Sequence, residues 1–482
     1  MWIVGPFQQG DRGIDRSGRV RRRNDFEKAM TAPAAPRKKF NHALVFLAFV
    51  IPAIITQFWV IDRLAGWAPD NDQWHIDILQ IDVPMAHHQF DWHVIFQSWQ
   101  EHHIILQKLV DVAYFAVLRR FDQVLECRVQ AVVFCTAGAG MITLLLSRLK
   151  WRWASGVFLG LAFALPFGYT NFIYADSFQH LLNLLFLFTA CWQFANGRVV
   201  RGALITTLAM TNYASGFMPA LAFGALAFTD GLQKRLEPKR AVLILALALC
   251  LGGIGFLMRE RAPQQEWHRA HDASQAFVTV MRYLSWPSYF SPWTVALNLA
   301  PVTALLVQRL RGRTRASPEE GLALLLFLCA LADSLVIGIF RANNNNIFIP
   351  RFQVSFIPLL VANVIAFNKL WQPAPARPDP KRPQPGAILA ALAGAWSWAA
   401  VNGMISITTY AAIVSMSYSE LNRQNTAAGT LWNYANRQSP AIMSPPQGGR
   451  IALSLDEQHV MPELPDLLND PEITNVMPEL RQ

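Results

Sequence analysis

The feature that most narrows the folds open to this chain is an alternation of long apolar runs with short basic loops. The first run is His42–Ile61. Others cover about 126–147, 153–168, 180–196, 200–211, 216–230, 241–258, 296–308, a stretch from Pro318 to about Phe340, 353–368 and 387–409. About 20 apolar residues cross a bilayer as a helix, and a lipid-exposed backbone must satisfy its own hydrogen bonds. The chain is 15% charged, against about 25% for a soluble domain. The basic loops after residues 147, 196, 232 and 308 and the Pro-rich linker 373–386 fall on one side if the N-terminus lies inside. The expectation is an all-α polytopic transmembrane helix bundle of about eleven spans.

Three regions follow from this pattern. Residues 1–41 read as a cytoplasmic, disordered basic leader, with Met30 a second natural start. Residues 42–410 hold the transmembrane domain with a large external loop, 62–125, and 411–482 form an external tail. The segment 202–230 lies between two basic clusters that both belong inside. It therefore crosses twice, as two short spans with an outward turn at Thr211–Gly216. Ser317, Pro318 and Glu320 carry a helix-start signature, with Ser as the cap.

The net charge of +10 is accounted for by orientation signals in loops, so no nucleic-acid partner is implied. The five cysteines sit in or beside apolar runs and form no CxxC pair, which argues against a zinc site or disulfide frame. Neither a P-loop nor a dinucleotide fingerprint is present. Asp333 is the clear ionisable group inside a span, and no internal repeat is visible. Both points weigh against an ion-coupled transporter.

The chemistry-bearing residues concentrate in the first loop, which carries Asp62, Asp70, Asp72, Asp77, Asp82, Asp91, Asp111, Glu101 and a histidine cluster. From Asp91 to Phe121 the pattern predicts an amphipathic helix at the membrane surface, with Glu101, His102 and Lys108 toward a lipid phosphate. Asp70 and Asp72 could hold a divalent metal over phosphate oxygens or act as a base. His87 and His88 are adjacent and lack the i, i+4 spacing of a helical zinc motif. The other external turns offer Asn171, Asp176, Gln179, Asn212, Tyr213, Asn343 to Asn346, and Arg351, whose guanidinium suits a phosphate.

Several of these stretches resemble bacterial polytopic GT-C-type glycosyltransferase-like membrane proteins. The similarity rests on Trp99-Gln100-Glu101-His102-His103-Ile104 followed by Lys108 and Asp111. Added to it are Pro166, Asn171 and Phe178-Gln179, then Met210-Thr211-Asn212 before Pro219, then Arg341 and Arg351-Phe352, and a Pro-rich ending. His103 and Lys108 stand where that family has Arg, and Phe352 where it has Tyr. The resemblance covers roughly 42–482. It implies a polyprenyl-phosphate sugar donor, a glycan or lipid acceptor, a place in the bacterial inner membrane and chemistry on the periplasmic face. Glu101, Asp70, Asp72 and His102 are then the candidate catalytic residues. Lys108, Asp111, Asn171, Gln179, Asn212 and Arg351 are the candidate substrate-binding ones. No cofactor is required, a divalent metal being the one possibility. The alternatives are a transporter or flippase for a lipid-linked sugar and a non-catalytic assembly partner.

Overall fold

Exposed apolar stripes show what surrounds the helices in the computed structural model. The structure describes residues 40–66, 73–99, 102–149, 152–164, 168, 170–259, 266, 268–286, 292–311, 317–343 and 354–370. Helix α1, His42–Leu64, leaves Leu44, Leu47, Ile51, Ile55 and Trp59 exposed, three or four residues apart, and buries Val50, Ala53, Val60 and Ile61 opposite. A stripe of this size on a single helix face belongs against hydrocarbon rather than water.

After α1 a π-helical segment, Trp74–Asp82, runs into a short helix, Val83–Ala86, and a 3-10 turn, Trp92–Phe96. Then come α2 Ile105–Leu118, α3 Gln123–Arg148, α4 Arg152–Ala164, α5 Phe178–Ala195, α6 Val199–Met210, α7 Met218–Leu232 and α8 Pro238–Met258. The described chain ends with α9 Ala273–Leu284, α10 Pro292–Leu310, α11 Pro318–Phe340 and α12 Ile357–Leu370. Among the described residues there is no β-strand, only an isolated bridge between Trp99 and His102.

Five helices, α1, α3, α8, α10 and α11, are long and apolar enough to cross a membrane, and α6, α7 and α12 are shorter apolar helices. Helices stand at each expected span up to residue 370, but length and composition qualify only those five. The expected span 387–409 lies outside the described residues, as do the leader to residue 39, the linker and the tail. In α11, 67% of the span is buried, against 28% in α1 and in α8, so α11 is the central helix and the other two are peripheral. It packs on α5, α7, α9 and α12. Ser317 caps it, its Oγ accepting from the Glu320 amide at 3.2 Å, as the sequence signature requires.

The interrupted segment between the two basic clusters is two helices, as expected. Its turn is tight because a Cβ on Gly216 would lie 2.3 Å from the Ala209 carbonyl carbon, so only glycine fits there. α7 and α8 then pack closely, with Gly224 against the Ala248 methyl.

Polar contacts sort the loops into two groups. At one end Arg309 donates to Asp230 and Glu320, Lys369 to Glu319, and Arg148 to Asn196. At the other, the first loop, the 211–216 turn and the segments after residues 258 and 340 bond to one another. This is the partition the basic loops predict.

Candidate functional site

Asp91 opens the 3-10 turn, its Oδ1 accepting from the His93 amide at 2.9 Å. The chain then leaves helical geometry. Trp99 and His102 exchange two backbone hydrogen bonds of 2.6 and 2.9 Å. The single surface helix expected over 91–121 is therefore replaced by a 3-10 turn, a bridged segment and a helix that starts only at Ile105. Ile104 sits in the left-handed region, φ 43°, a conformation that costs a β-branched residue about 1–2 kcal/mol. Complete burial of its side chain and the bond from the Ile105 amide to the Thr211 carbonyl, 3.1 Å, hold it there.

That bond ties the first loop to the α6–α7 turn. The Ala214 amide donates to His102 Nδ1 at 3.1 Å, which leaves the neutral ring's proton on Nε2. The His102 ring stacks on Tyr213 with centroids 4.3 Å apart, and His180 meets the same Tyr213 edge-on at 5.0 Å. Next to His102, His103 Nε2 donates to the Met258 carbonyl at 3.0 Å. A cleft of about 70 Å³ opens here, lined by His102, Tyr213, Ser215, Arg259, Asp333, Arg341 and Ser355 together with apolar residues. Asp333 comes from the central helix and is hydrogen-bonded by Ser215. The Arg259 guanidinium lies 4.4 Å over the Phe340 ring.

A second polar cluster lies beneath the loop, around α2 and the start of α3. Gln107 donates to Asp111 at 2.7 Å, Gln130 to Glu126 at 3.0 Å, and Asp111 and Glu126 bond to each other. Asp77 and Asp82, from the π-helical segment, are buried beside them. Burial, and then the neighbouring carboxylates, hold the carboxyls of Asp77 and Asp111 well above the usual range, and burial followed by Glu126 does the same for Asp82. π-Helical turns often mark functional segments, because the wider turn redirects side chains.

Lys108 departs from the expected role. Its side chain is fully buried, and its Nζ donates to the carbonyls of Val94 at 2.8 Å and Gln97 at 3.1 Å. It closes the 3-10 turn from below instead of facing a membrane surface. Burial lowers its ammonium to about 8, against the opposing pull of Asp111 and Asp77. Asp111 belongs to the carboxyl cluster. Asn171 is fully buried in the short helix Thr170–Ile173. Asn212 is buried and donates to the Gln179 carbonyl at 3.1 Å, which pins the α6–α7 turn to α5. Asp70, Asp72, Glu101 and Arg351 lie outside the described residues. Among the described residues no group of three or more His, Cys, Asp or Glu is arranged to hold a metal ion.

The structure thus joins His102 to the 211–216 turn and places Lys108 and Asp111 in a different cluster. Residues that the candidate set omitted, Ser215, Arg259, Asp333 and Arg341, complete the cleft. Two of them left a signal in the sequence: Asp333 as a lone carboxylate in an apolar run, and Arg341 within the stretch that carries the family resemblance. Comparison of the chain with known protein families, with curated proteins and with solved structures finds no match in any of the three.

Proposed function

We propose that the cleft is the catalytic site of a membrane glycosyltransferase. It takes a sugar from a polyprenyl-phosphate carrier and passes it to a cell-envelope glycan or lipid. The observation that carries this reading is one cleft lined by two guanidinium groups, a buried carboxylate and a histidine, at the end of an apolar bundle. In this scheme Arg259 and Arg341 neutralise the phosphate. Asp333 takes the proton of the acceptor hydroxyl. The hydroxyl oxygen bonds to the anomeric carbon, the carbon–oxygen bond to phosphate breaks, and the electron pair leaves with the phosphate. His102 Nε2–H donates to a sugar or phosphate oxygen. Lys108 serves this site by holding the loop that carries His102.

The same reading places the chain in a bacterial inner membrane with eleven spans, the Arg309 end toward the cytoplasm and the cleft toward the periplasm. The basic loops gathered at the Arg309 end support that orientation.

The test is sugar transfer by the purified full chain from a polyprenyl-phosphate sugar, with variants compared at equal folded concentration. Asp333→Asn keeps size and polarity but removes proton acceptance, and turnover should fall about 10²–10⁴-fold. Arg341→Gln should weaken donor use. Near-normal turnover of Asp333→Asn alongside an inactive Glu101→Gln would return the base to the first loop. Normal turnover of all three, or no transfer by the wild type to any envelope acceptor, would defeat the proposal.

A further inference from the structure

At the Arg309 end, away from the cleft just described, lies a larger opening of about 610 Å³ between α3 and α5. Its walls are apolar, among them Gly140, Leu144 and Phe188, and its mouth is polar, formed by Arg148, Trp192, Gln193 and Arg198. Along α3 it extends from Ala137 to Arg148, which at 1.5 Å per residue is about 16 Å. That is the depth of one leaflet, half of a hydrocarbon core about 30 Å thick.

The mouth has unmet bonding capacity. Among the described residues the exposed Arg198 guanidinium has no partner, and the buried Gln193 Oε1 has no hydrogen-bond donor. The Arg148 guanidinium lies 4.5 Å over the Trp192 ring, donates to Asn196 at 3.1 Å and stands 3.8 Å from the Glu319 carboxylate, a loose pair that holds this cation at the mouth. Deeper in, a Cβ added at Gly140 would meet nothing within 4 Å among the described residues, so the wall there has room for a larger group.

We infer that this opening binds one anionic glycerophospholipid of the adjacent leaflet. Its acyl chains lie along α3, its phosphate between Arg148 and Arg198, and a headgroup hydroxyl on Gln193. A guanidinium fork matches phosphate oxygens, and Trp beside it is suited to the headgroup level. Gln193 Oε1 can only accept, so it selects a headgroup that carries a donor. The leaflet-deep groove favours an acyl lipid over a long isoprenoid carrier. This inference is independent of the transferase proposal.

The experiment is native mass spectrometry of the delipidated full chain in detergent, titrated separately with phosphatidylglycerol, phosphatidylcholine and a polyprenyl phosphate. A single phosphatidylglycerol should remain bound, about tenfold more tightly than phosphatidylcholine. Gly140→Trp fills the groove and should weaken binding about tenfold or more. Arg198→Gln, an exposed change that leaves folding intact, should erase most of the preference for the anionic lipid. If Gly140→Trp does not fold, Gly140→Leu and Arg198→Gln carry the test. Equal binding of phosphatidylglycerol and phosphatidylcholine would overturn the inference. So would unchanged binding in the groove-filling and Arg198 variants, or tighter binding of the polyprenyl phosphate.

Discussion

The two polar ends of the bundle handle buried charge in opposite ways. At the Arg309 end a cation meets its carboxylates: Arg309 lies 2.6 Å from Asp230 and 2.5 Å from Glu320, with the Arg309 side chain 5% exposed and that of Glu320 2%. At the other end Asp77, Asp82, Asp111 and Glu126 are buried together, and the buried ammonium near them, Lys108, is bonded to backbone carbonyls. In the first arrangement one guanidinium serves two carboxylates, so removing Arg309 takes the partner from both. In the second, buried carboxyl groups lie against one another and raise each other's proton affinity. Unfavourable, closely spaced titratable groups concentrate where a protein does chemistry. On the proposed reading, the Arg309 end serves stability and the loop-covered end serves function.

The sharpest way to break this contrast is Arg309→Met. It leaves the buried Glu320 and the half-buried Asp230 without their guanidinium, and losing one member of a buried pair costs about 3–5 kcal/mol. Expression and thermal midpoint in detergent should fall sharply, while transfer per folded molecule stays near wild type. A stable Arg309→Met protein with lost turnover would reverse the assignment of the two ends.

A smaller effect, of opposite sign, is expected from Asp77→Asn. Asp77 is held above its ordinary value by burial and by Glu126, Asp176 and Asp82. The folded chain thus keeps a proton that the unfolded chain releases above an ordinary carboxyl value of 3.8. The associated stability is full at low pH and is lost as pH rises through the folded value, and Asp82 and Asp111 act in the same direction. Lys108, lowered to about 8 from 10.5, gives a rising contribution between those values, since there the unfolded chain holds the proton the folded one has shed. The thermal midpoint should fall from pH 5 to pH 8, and Asp77→Asn should flatten that fall. At pH 8 the variant should be more stable than wild type, by an amount of order 1 kcal/mol. A midpoint equally pH-dependent in the variant, or lower at pH 8, would show that Asp77 is not part of a strained cluster.

The same two ends explain how much of the molecule was legible in the sequence. Apolar runs and basic loops are local signals, and they located the helices, the break at Gly216 and the sorting of loops between ends. Ser317 was readable for the same reason, because a cap needs only its own helix. The interior of the loop-covered end was not. The helical periodicity of 91–121 is real in composition, yet the bond between Ile105 and Thr211 and the buried Lys108 override it, and both depend on residues far apart in sequence. His102 stood out as a candidate because it sits in a dense polar stretch. Glu126 stands at the start of an apolar run, Ser215 within a turn and Arg259 just past another run, positions that carry no local sign of a shared cluster. Only packing brings Glu126 to Asp111 and the other two to Asp333.

The smallest expected effect comes from an ion pair at the loop-covered end that lacks the cluster's burial. Arg128 donates to Asp62 at 2.6 Å, but the side chains are 41% and 48% exposed. Arg128 is on α3, the helix that also supplies Glu126, so proximity in sequence would suggest equal importance. Exposure decides otherwise, because solvent screens the attraction and both long side chains lose rotamer freedom in making it. Such pairs contribute about 0–1 kcal/mol. Arg128→Gln should therefore move the thermal midpoint by no more than a degree or so in a chain of this size, with the shift shrinking further in high salt. Its pH profile should match wild type, since the buried carboxyls are untouched. A destabilisation approaching that of Arg309→Met would mean that the Asp62–Arg128 contact is shielded in the membrane and acts as a buried pair. The division between a charge-paired end and a charge-strained end would then no longer hold.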